Sequence, residues 1–169
     1  MFLGVHHVAI ATADLDRLRE FYCTHLGMKQ LTESEWADFP LYDAIVGLPG
    51  SAARVVMLQA GNLALELFQY SQPKSELGEE NRPVNKPGIT HFGFVVDDID
   101  AEYARLCAAG VPFHGPPADK AISPEEMPLR AVYGRDPDGN VFEMIEFVGE
   151  TELDYMPAPA RWRGAKTAS

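Results

Sequence analysis

Two histidines and two glutamates carry the chemistry that this sequence offers. His7 stands in Gly-Val-His-His-Val-Ala-Ile-Ala-Thr-Ala-Asp-Leu-Asp (residues 4–16), and His91 in Gly-Ile-Thr-His-Phe-Gly-Phe-Val-Val-Asp-Asp-Ile-Asp (residues 88–100). An offset of 84 (91 minus 7) maps His7 onto His91, and Asp14, Leu15 and Asp16 onto Asp98, Ile99 and Asp100. The chain therefore reads as two copies of one unit. Glu66, in Leu-Ala-Leu-Glu-Leu-Phe, and Glu143, in Val-Phe-Glu-Met-Ile, each interrupt an apolar strand-like run. A carboxylate buried without a partner is costly. A divalent cation removes that cost, because it supplies positive charge and accepts neutral imidazole nitrogens as ligands. His7, Glu66, His91 and Glu143 make a nitrogen–oxygen donor set suited to Zn²⁺, Ni²⁺, Co²⁺, Mn²⁺ or Fe²⁺. Without a thiolate, an open catalytic site fits better than a closed structural zinc site. Taken singly, a strand histidine is usually a hydrogen-bonded core or rim residue, and a strand glutamate usually faces solvent. Recurrence in both copies argues for ligation. His6 aligns with Thr90 rather than with another histidine and reads as structural, while His25, at a helix end, and His114, in a loop, read as solvated.

The elements that must position these residues follow from periodicity. Val5 to Ala11 reads as a strand with His7, Ala9 and Ala11 on one face and Val8 and Ile10 on the other. Asp14 is a fitting N-cap for a helix bearing Leu15, Leu18, Phe21, Tyr22 and Leu26, stopped by Gly27. Met28 to Glu33 reads as a short strand, and Ser34 to Ser51 as a loop. Arg54 to Gln59 and Leu63 to Tyr70 read as strands joined by the turn Ala60-Gly61-Asn62. Residues 73–87, with Pro73, Pro83 and Pro87, read as a linker. The second copy repeats the order: strand Thr90 to Val96, a helix capped by Asp97 or Asp98 with Ile99, Tyr103, Leu106 and Cys107 inward, and strands Leu129 to Arg135 and Val141 to Val148. The turn Asp136-Pro137-Asp138-Gly139-Asn140 joins these last two. Val111 to Pro128 is Pro-rich and reads as a loop. The expected fold is α+β: two tandem βαβββ modules (1–72 and 88–148) forming a curved, cleft-bearing mixed sheet with helices on the outer face. An extended tail, 149–169, follows.

Composition limits the function classes. The chain has 169 residues, 46% of them hydrophobic, and a net charge of -11. That charge argues against nucleic acid and anionic membrane surfaces as partners. No apolar run is long enough to span a bilayer, and Met1 to Ala13 lacks the basic and small-residue features of a signal peptide. Cys23 and Cys107 fall in helical patterns and read as buried reduced thiols of a cytoplasmic protein.

Together, His-Val-Ala-Ile with Asp-Leu-Asp and Phe-Tyr, the Leu-Glu-Leu strand, His-Phe-Gly-Phe-Val-Val-Asp-Asp-Ile-Asp and Asp-Pro-Asp-Gly-Asn-Val-Phe-Glu resemble the vicinal oxygen chelate superfamily. That superfamily includes glyoxalase I, methylmalonyl-CoA epimerase, extradiol dioxygenases, fosfomycin-modifying enzymes and bleomycin-binding proteins. The resemblance runs from Gly4 to Val148. It implies paired βαβββ modules around one divalent metal, with ligands at His7, Glu66, His91 and Glu143. A carboxylate or amide ligand in the first module marks the isomerase and lyase branch, so Glu66 points there. The epimerases usually carry Gln at that position, and their additional acidic base has no match in Gly47 to Ala53. Glyoxalase I has Glu there, but it also has an Arg for the glutathione carboxylate where this chain has Ala11, which argues against a glutathione substrate. Bleomycin-binding relatives lack the ligands. The resemblance thus implies a lyase or isomerase forming a metal-stabilised enediolate on a small carbonyl or thioester substrate. Glu143 is the first choice of base, Glu66 the second, and the assembly a homodimer. The alternatives are an Fe²⁺-dependent extradiol-type dioxygenase and a non-catalytic small-molecule-binding or resistance protein. Met57, Gln59, Tyr133 and the segment Trp36 to Tyr42 are candidate substrate walls.

Overall fold

The computed structural model describes residues 4–119, 121 and 128–148. The tail expected over 149–169 lies outside the described residues. The chain divides into two compact units, residues 1–80 and 81–169. No helix among the described residues is long and apolar enough to cross a membrane.

The first unit contains β1 (His7–Ala11), α1 (Leu15–Thr24), β2 (Lys29–Trp36), α2 (Pro40–Val46), β3 (Ala52–Ala60) and β4 (Leu63–Gln72). Its sheet has the order β1-β4-β3-β2. β1 runs parallel to β4, and the other neighbours are antiparallel. The Asp14 carboxylate accepts from the Arg17 amide at 3.1 Å and so satisfies one of the free N–H groups at the start of α1. Leu15, Leu18, Phe21 and Tyr22 are buried on α1, which packs on β3 and β4. There Val56, Leu58, Leu65 and Leu67 are fully buried. The opposite face carries His7, Ala9, Glu66 and Met57, as period two requires.

The segment Ser34 to Ser51 is not a loop throughout. Ser34, Glu35 and Trp36 continue the ladder opposite Val55, Arg54 and Ala53, and α2 follows. Pro40 opens α2 without losing a hydrogen bond, and Gly47, at φ 71°, ends it in the left-handed conformation. The Asp43 carboxylate fixes the return to β3. It accepts from the amides of Gly50 and Ser51, both at 2.8 Å, and from the Ser51 hydroxyl at 2.7 Å. That hydroxyl in turn accepts from the Trp36 indole at 3.0 Å.

The second unit contains β5 (Phe92–Val95), α3 (Ile99–Ala108), β6 (Leu129–Arg135) and β7 (Val141–Phe147). Among the described residues its sheet has the order β5-β7-β6, with β5 parallel to β7. Asp98 caps α3 by accepting from the Ala101 amide at 2.9 Å, the counterpart of Asp14 and Arg17 at the same offset of 84. Ile99 and Leu106 are the buried residues of α3, above Phe142 and Met144 of β7. Cys107 is exposed and Cys23 half-buried, both free thiols. The expectation of buried thiols therefore fails for Cys107, because one residue beyond Leu106 turns the side chain about 100° away from the core.

Among the described residues the stretch after α3 forms no regular strand. The His114 amide donates to the Tyr133 carbonyl at 2.9 Å, and the Pro112 carbonyl accepts from the Arg135 amide at 2.9 Å. Phe113 forms an isolated bridge with Gly134. Pro112, Pro116 and Pro117 lack the N–H groups a continuous ladder needs. Gly134 itself leaves room for two rings. A Cβ there would meet Phe142 at 2.5 Å and Phe113 at 2.9 Å. Phe142 is fully buried, so it has little room to retreat. Gly134→Ala is expected to cost roughly 1–3 kcal/mol, read as a lower urea midpoint with an unchanged m-value.

Both units repeat an ion pair that joins helix to sheet. Asp16 binds Arg54 of β3 at 3.0 Å, and Asp100 binds Arg130 of β6 through both carboxylate oxygens at 2.7 and 2.8 Å. Arg54 and Arg130 respectively hold the Asp16 and Asp100 carboxyls below the usual carboxylate range. A depressed native pKa contributes stability above the unfolded value and loses it as pH falls through the folded value. The melting temperature is therefore expected to hold near neutrality and to decline progressively below about pH 4. Asp100→Asn should lessen that decline. These groups are solvent-exposed, so each contributes little.

Candidate metal centre

Each unit builds one histidine–glutamate pair by the same rule. In the first, Ala9 of β1 lies opposite Glu66 of β4, and His7 is two residues earlier on the same face. In the second, Gly93 of β5 lies opposite Glu143 of β7, and His91 is two residues before Gly93. The parallel pairing of first and last strand thus sets both pairs. His7 Nε2 stands 3.3 Å from Glu66 Oε2, and His91 Nε2 stands 3.4 Å from Glu143 Oε2. Two neighbouring ligands of one ion, with bonds of about 2.0–2.2 Å, stand about 3–3.5 Å apart. The spacing of each pair therefore fits two adjacent ligands. The donor set fits as well, since imidazole nitrogen and carboxylate oxygen together suit divalent first-row metals. Glu143 is short of positive charge: burial pushes its carboxyl up, against a smaller opposing influence of His91. The structure brings the four residues together as two pairs. Among the described residues no group of three or more His, Cys, Asp and Glu is arranged to hold a metal.

The other ring nitrogen of each histidine is also engaged. His6 Nδ1 lies 2.8 Å from His7 Nδ1, and Thr90 Oγ1 lies 2.9 Å from His91 Nδ1. His6 is thus part of the site's surroundings rather than separate from it, and Thr90 enters where sequence reasoning had assigned it nothing. The available signal was its place immediately before His91, where the first copy has His6.

The third strand distinguishes the two units. Met57 lies opposite Glu66, whereas Tyr133 lies opposite Glu143. The Tyr133 hydroxyl is 3.5 Å from His91 Nε2, and the two rings lie 4.7 Å apart. Burial, and then the charge of Glu143, pushes the Tyr133 phenol up. His114 is exposed, as expected for a solvated residue, but its ring meets the Tyr133 ring edge-on at 5.9 Å. Gly93 keeps the backbone beside Glu143 open, since a Cβ there would meet Ile145 at 3.1 Å and the carboxylate at 3.4 Å.

Of the candidate walls, Met57 and Tyr133 lie directly beside a glutamate, and Gln59 lies opposite Ala64, two pairs along the ladder. Trp36 joins an aromatic strip on the Glu66 face. Its ring is 6.0 Å from Phe68, 5.9 Å from Tyr70 and 4.9 Å from Tyr42. Trp36, Phe39, Tyr70 and Lys74 border an open depression of about 930 Å³ in the first unit.

Residues 4–144 match the family described as the glyoxalase/bleomycin resistance protein/dioxygenase superfamily. The chain belongs to this superfamily. A relative from Actinomyces sp., 2-epi-5-epi-valiolone epimerase, is 30% identical over 187 residues, covering 99% of this chain and 95% of the relative. A glyoxalase family protein from Bacillus cereus has a similar fold, with a TM-score of 0.75 at 22% identity, covering 88% of this chain and 97% of that one. The fosfomycin resistance protein FosX from Listeria monocytogenes, solved with Mn(II) and sulfate, gives a TM-score of 0.56 at 18% identity over 86% of this chain and 93% of that one. These solved structures support the glyoxalase-type assignment of the fold: a strand, a helix and further strands in each unit. The superfamily holds enzymes as well as binding proteins.

Proposed function

We propose that this protein is a divalent-metal-dependent isomerase or lyase that moves a proton at a carbon beside a carbonyl of a small substrate. The observation that carries this reading is the duplicated pair, with His Nε2 3.3 and 3.4 Å from Glu Oε2 at the same register in both units. We take His7, Glu66, His91 and Glu143 as the metal donors of this reaction, one histidine–glutamate pair from each unit. The similarity to an epimerase along nearly the whole chain supports the same class of chemistry.

A divalent cation held by these donors would supply Lewis acidity to the substrate's carbonyl oxygen. The chain's own part is to orient the substrate and handle the proton. Glu143 takes the proton from the carbon beside the carbonyl, and its partly buried setting suits a carboxyl that must pick up and release a proton. Glu66 is the second group able to return it, to the same carbon or to its neighbour. Either route conserves the substrate's atoms and electrons. Tyr133 stands near His91 and Glu143 as a hydrogen-bond donor for the substrate's oxygen.

The test is proton exchange in D₂O. Full-length protein is stripped with a chelator and reloaded separately with Mn²⁺, Co²⁺, Ni²⁺, Zn²⁺ or Fe²⁺. It is then offered 2-epi-5-epi-valiolone and a panel of small 2-hydroxy ketones and thioesters, and followed by NMR. Deuterium appearing at the carbon beside the carbonyl with at least one metal, and not with the stripped protein, is the expected result. His7→Ala and His91→Ala should each remove it. Absence of exchange with every metal, or dioxygen uptake with Fe²⁺ as the sole activity, would overturn the proposal.

A further inference from the structure

We propose that His6 and Thr90 are positioning residues: each holds Nδ1 of the histidine that follows it, so that Nε2 keeps its lone pair for the cation it would share with the paired glutamate. The inference rests on the reading of His7 and His91 as ligands. Three observations carry it. First, the two contacts are equivalent. His6 and Thr90 are related by the offset of 84 (90 minus 6) that relates His7 to His91, and each meets the next residue's Nδ1, at 2.8 and 2.9 Å. Second, two chemically unlike side chains make this contact. An imidazole and a hydroxyl differ in shape and size, yet each can accept a hydrogen bond from a ring N–H. Third, the contact is not an automatic result of strand geometry. In a regular strand successive side chains point to opposite faces, so neighbours do not touch. Here β1 begins only at His7 and β5 only at Phe92, so His6 and Thr90 both precede their strands and are free to turn their side chains onto the next ring.

The chemistry follows from the two tautomers of neutral imidazole. Only the form with its proton on Nδ1 leaves Nε2 able to ligate, and an acceptor at Nδ1 selects that form and fixes the ring plane. Thr90 Oγ1 accepts directly. His6 accepts through Nδ1 when its own proton sits on Nε2, and its ring stands perpendicular to that of His7 at 5.1 Å.

The experiment uses full-length protein and two readouts. Titration of Co²⁺ alone into chelator-stripped protein, followed by visible absorption, gives a metal affinity. Long-range ¹H–¹⁵N NMR of the metal-free protein reports which ring nitrogen carries the proton. His6→Ala and Thr90→Val are each expected to weaken Co²⁺ binding by roughly 10–100-fold, with melting temperatures near that of the wild type. His6→Ala should redistribute the proton on His7 and leave His91 unchanged; Thr90→Val should do the reverse. Thr90→Ser, and His6→Thr, which installs the other unit's residue, should restore affinity to within about threefold. Unaltered ring-nitrogen signals in both variants, or affinity that the hydroxyl-bearing replacements fail to restore, would overturn the inference. Wild-type protein that binds no Co²⁺ would instead overturn the proposed function, and the NMR measurement would still decide the role of His6 and Thr90.

Discussion

Glu143→Gln is expected to abolish turnover while leaving the metal-free protein folded and slightly more stable. Glutamine keeps the shape of the side chain and removes its charge and its basicity. A positioned general base contributes about 10²–10⁴-fold to rate, and loss of a ligand adds to that, so a fall of at least about 10³-fold is expected. The stability gain has a separate cause. The Glu143 side chain is only 16% exposed, and burial raises its carboxyl more than His91 lowers it. Without a cation the ionised group sits in an unfavourable place, and the neutral amide relieves that cost. A melting temperature higher by about 2–4 °C in the metal-free variant, together with a loss of metal-induced stabilisation, is the expected pattern. Unchanged turnover in a variant that still holds metal removes Glu143 from the mechanism.

The second large effect is structural. Asp136→Ala should destabilise the second unit by about 3 kcal/mol or more. Asp136 is 3% exposed. Its carboxylate accepts from the amides of Asp138 and Asn140, both at 2.9 Å, and from the Asn140 side chain at 2.8 Å. Alanine leaves those half-buried donors without the carboxylate. Asp136→Asn keeps one acceptor oxygen and should cost about half as much. This turn sets the register of β6 against β7, which places Tyr133 opposite Glu143. Metal affinity should therefore fall along with stability in Asp136→Ala. A urea midpoint equal to that of the wild type would show that the turn is held by other contacts.

The parts of the protein that were legible in the sequence are those written in short-range periodicity. The first and last strands of each unit, the helices begun by Asp14 and Asp98, and the four residues of the two pairs all follow from period two, period 3.6 and the repeat. The structure departs from that reading where the cause is brief or distant. α2 has seven residues, too few for periodicity to register, and its signals, Pro40 and Gly47, also mark loops. The side chains of Asp16 and Asp100 reach arginines 38 and 30 residues away, a relation that local pattern does not contain. Cys107 lies on the border of a helical face, where a difference of one residue decides between core and solvent. The stretch after α3 borrows hydrogen bonds from β6 although its prolines read as loop. His6 and Thr90 share no residue type, so a comparison of identities passes over what a comparison of contacts reveals.

His7 and Glu66 are 59 residues apart (66 minus 7), and His91 and Glu143 are 52 apart (143 minus 91). Yet the nitrogen-to-oxygen distances differ by only 0.1 Å (3.4 minus 3.3). Seven residues have been gained or lost between the donors without moving them, because β1 against β4 and β5 against β7 alone decide where they meet. Donor placement and intervening length are thus independent variables in this architecture. The excursion between the outer strands can be lengthened, trimmed or refashioned by evolution or by design, and the chelating hardware stays where it was.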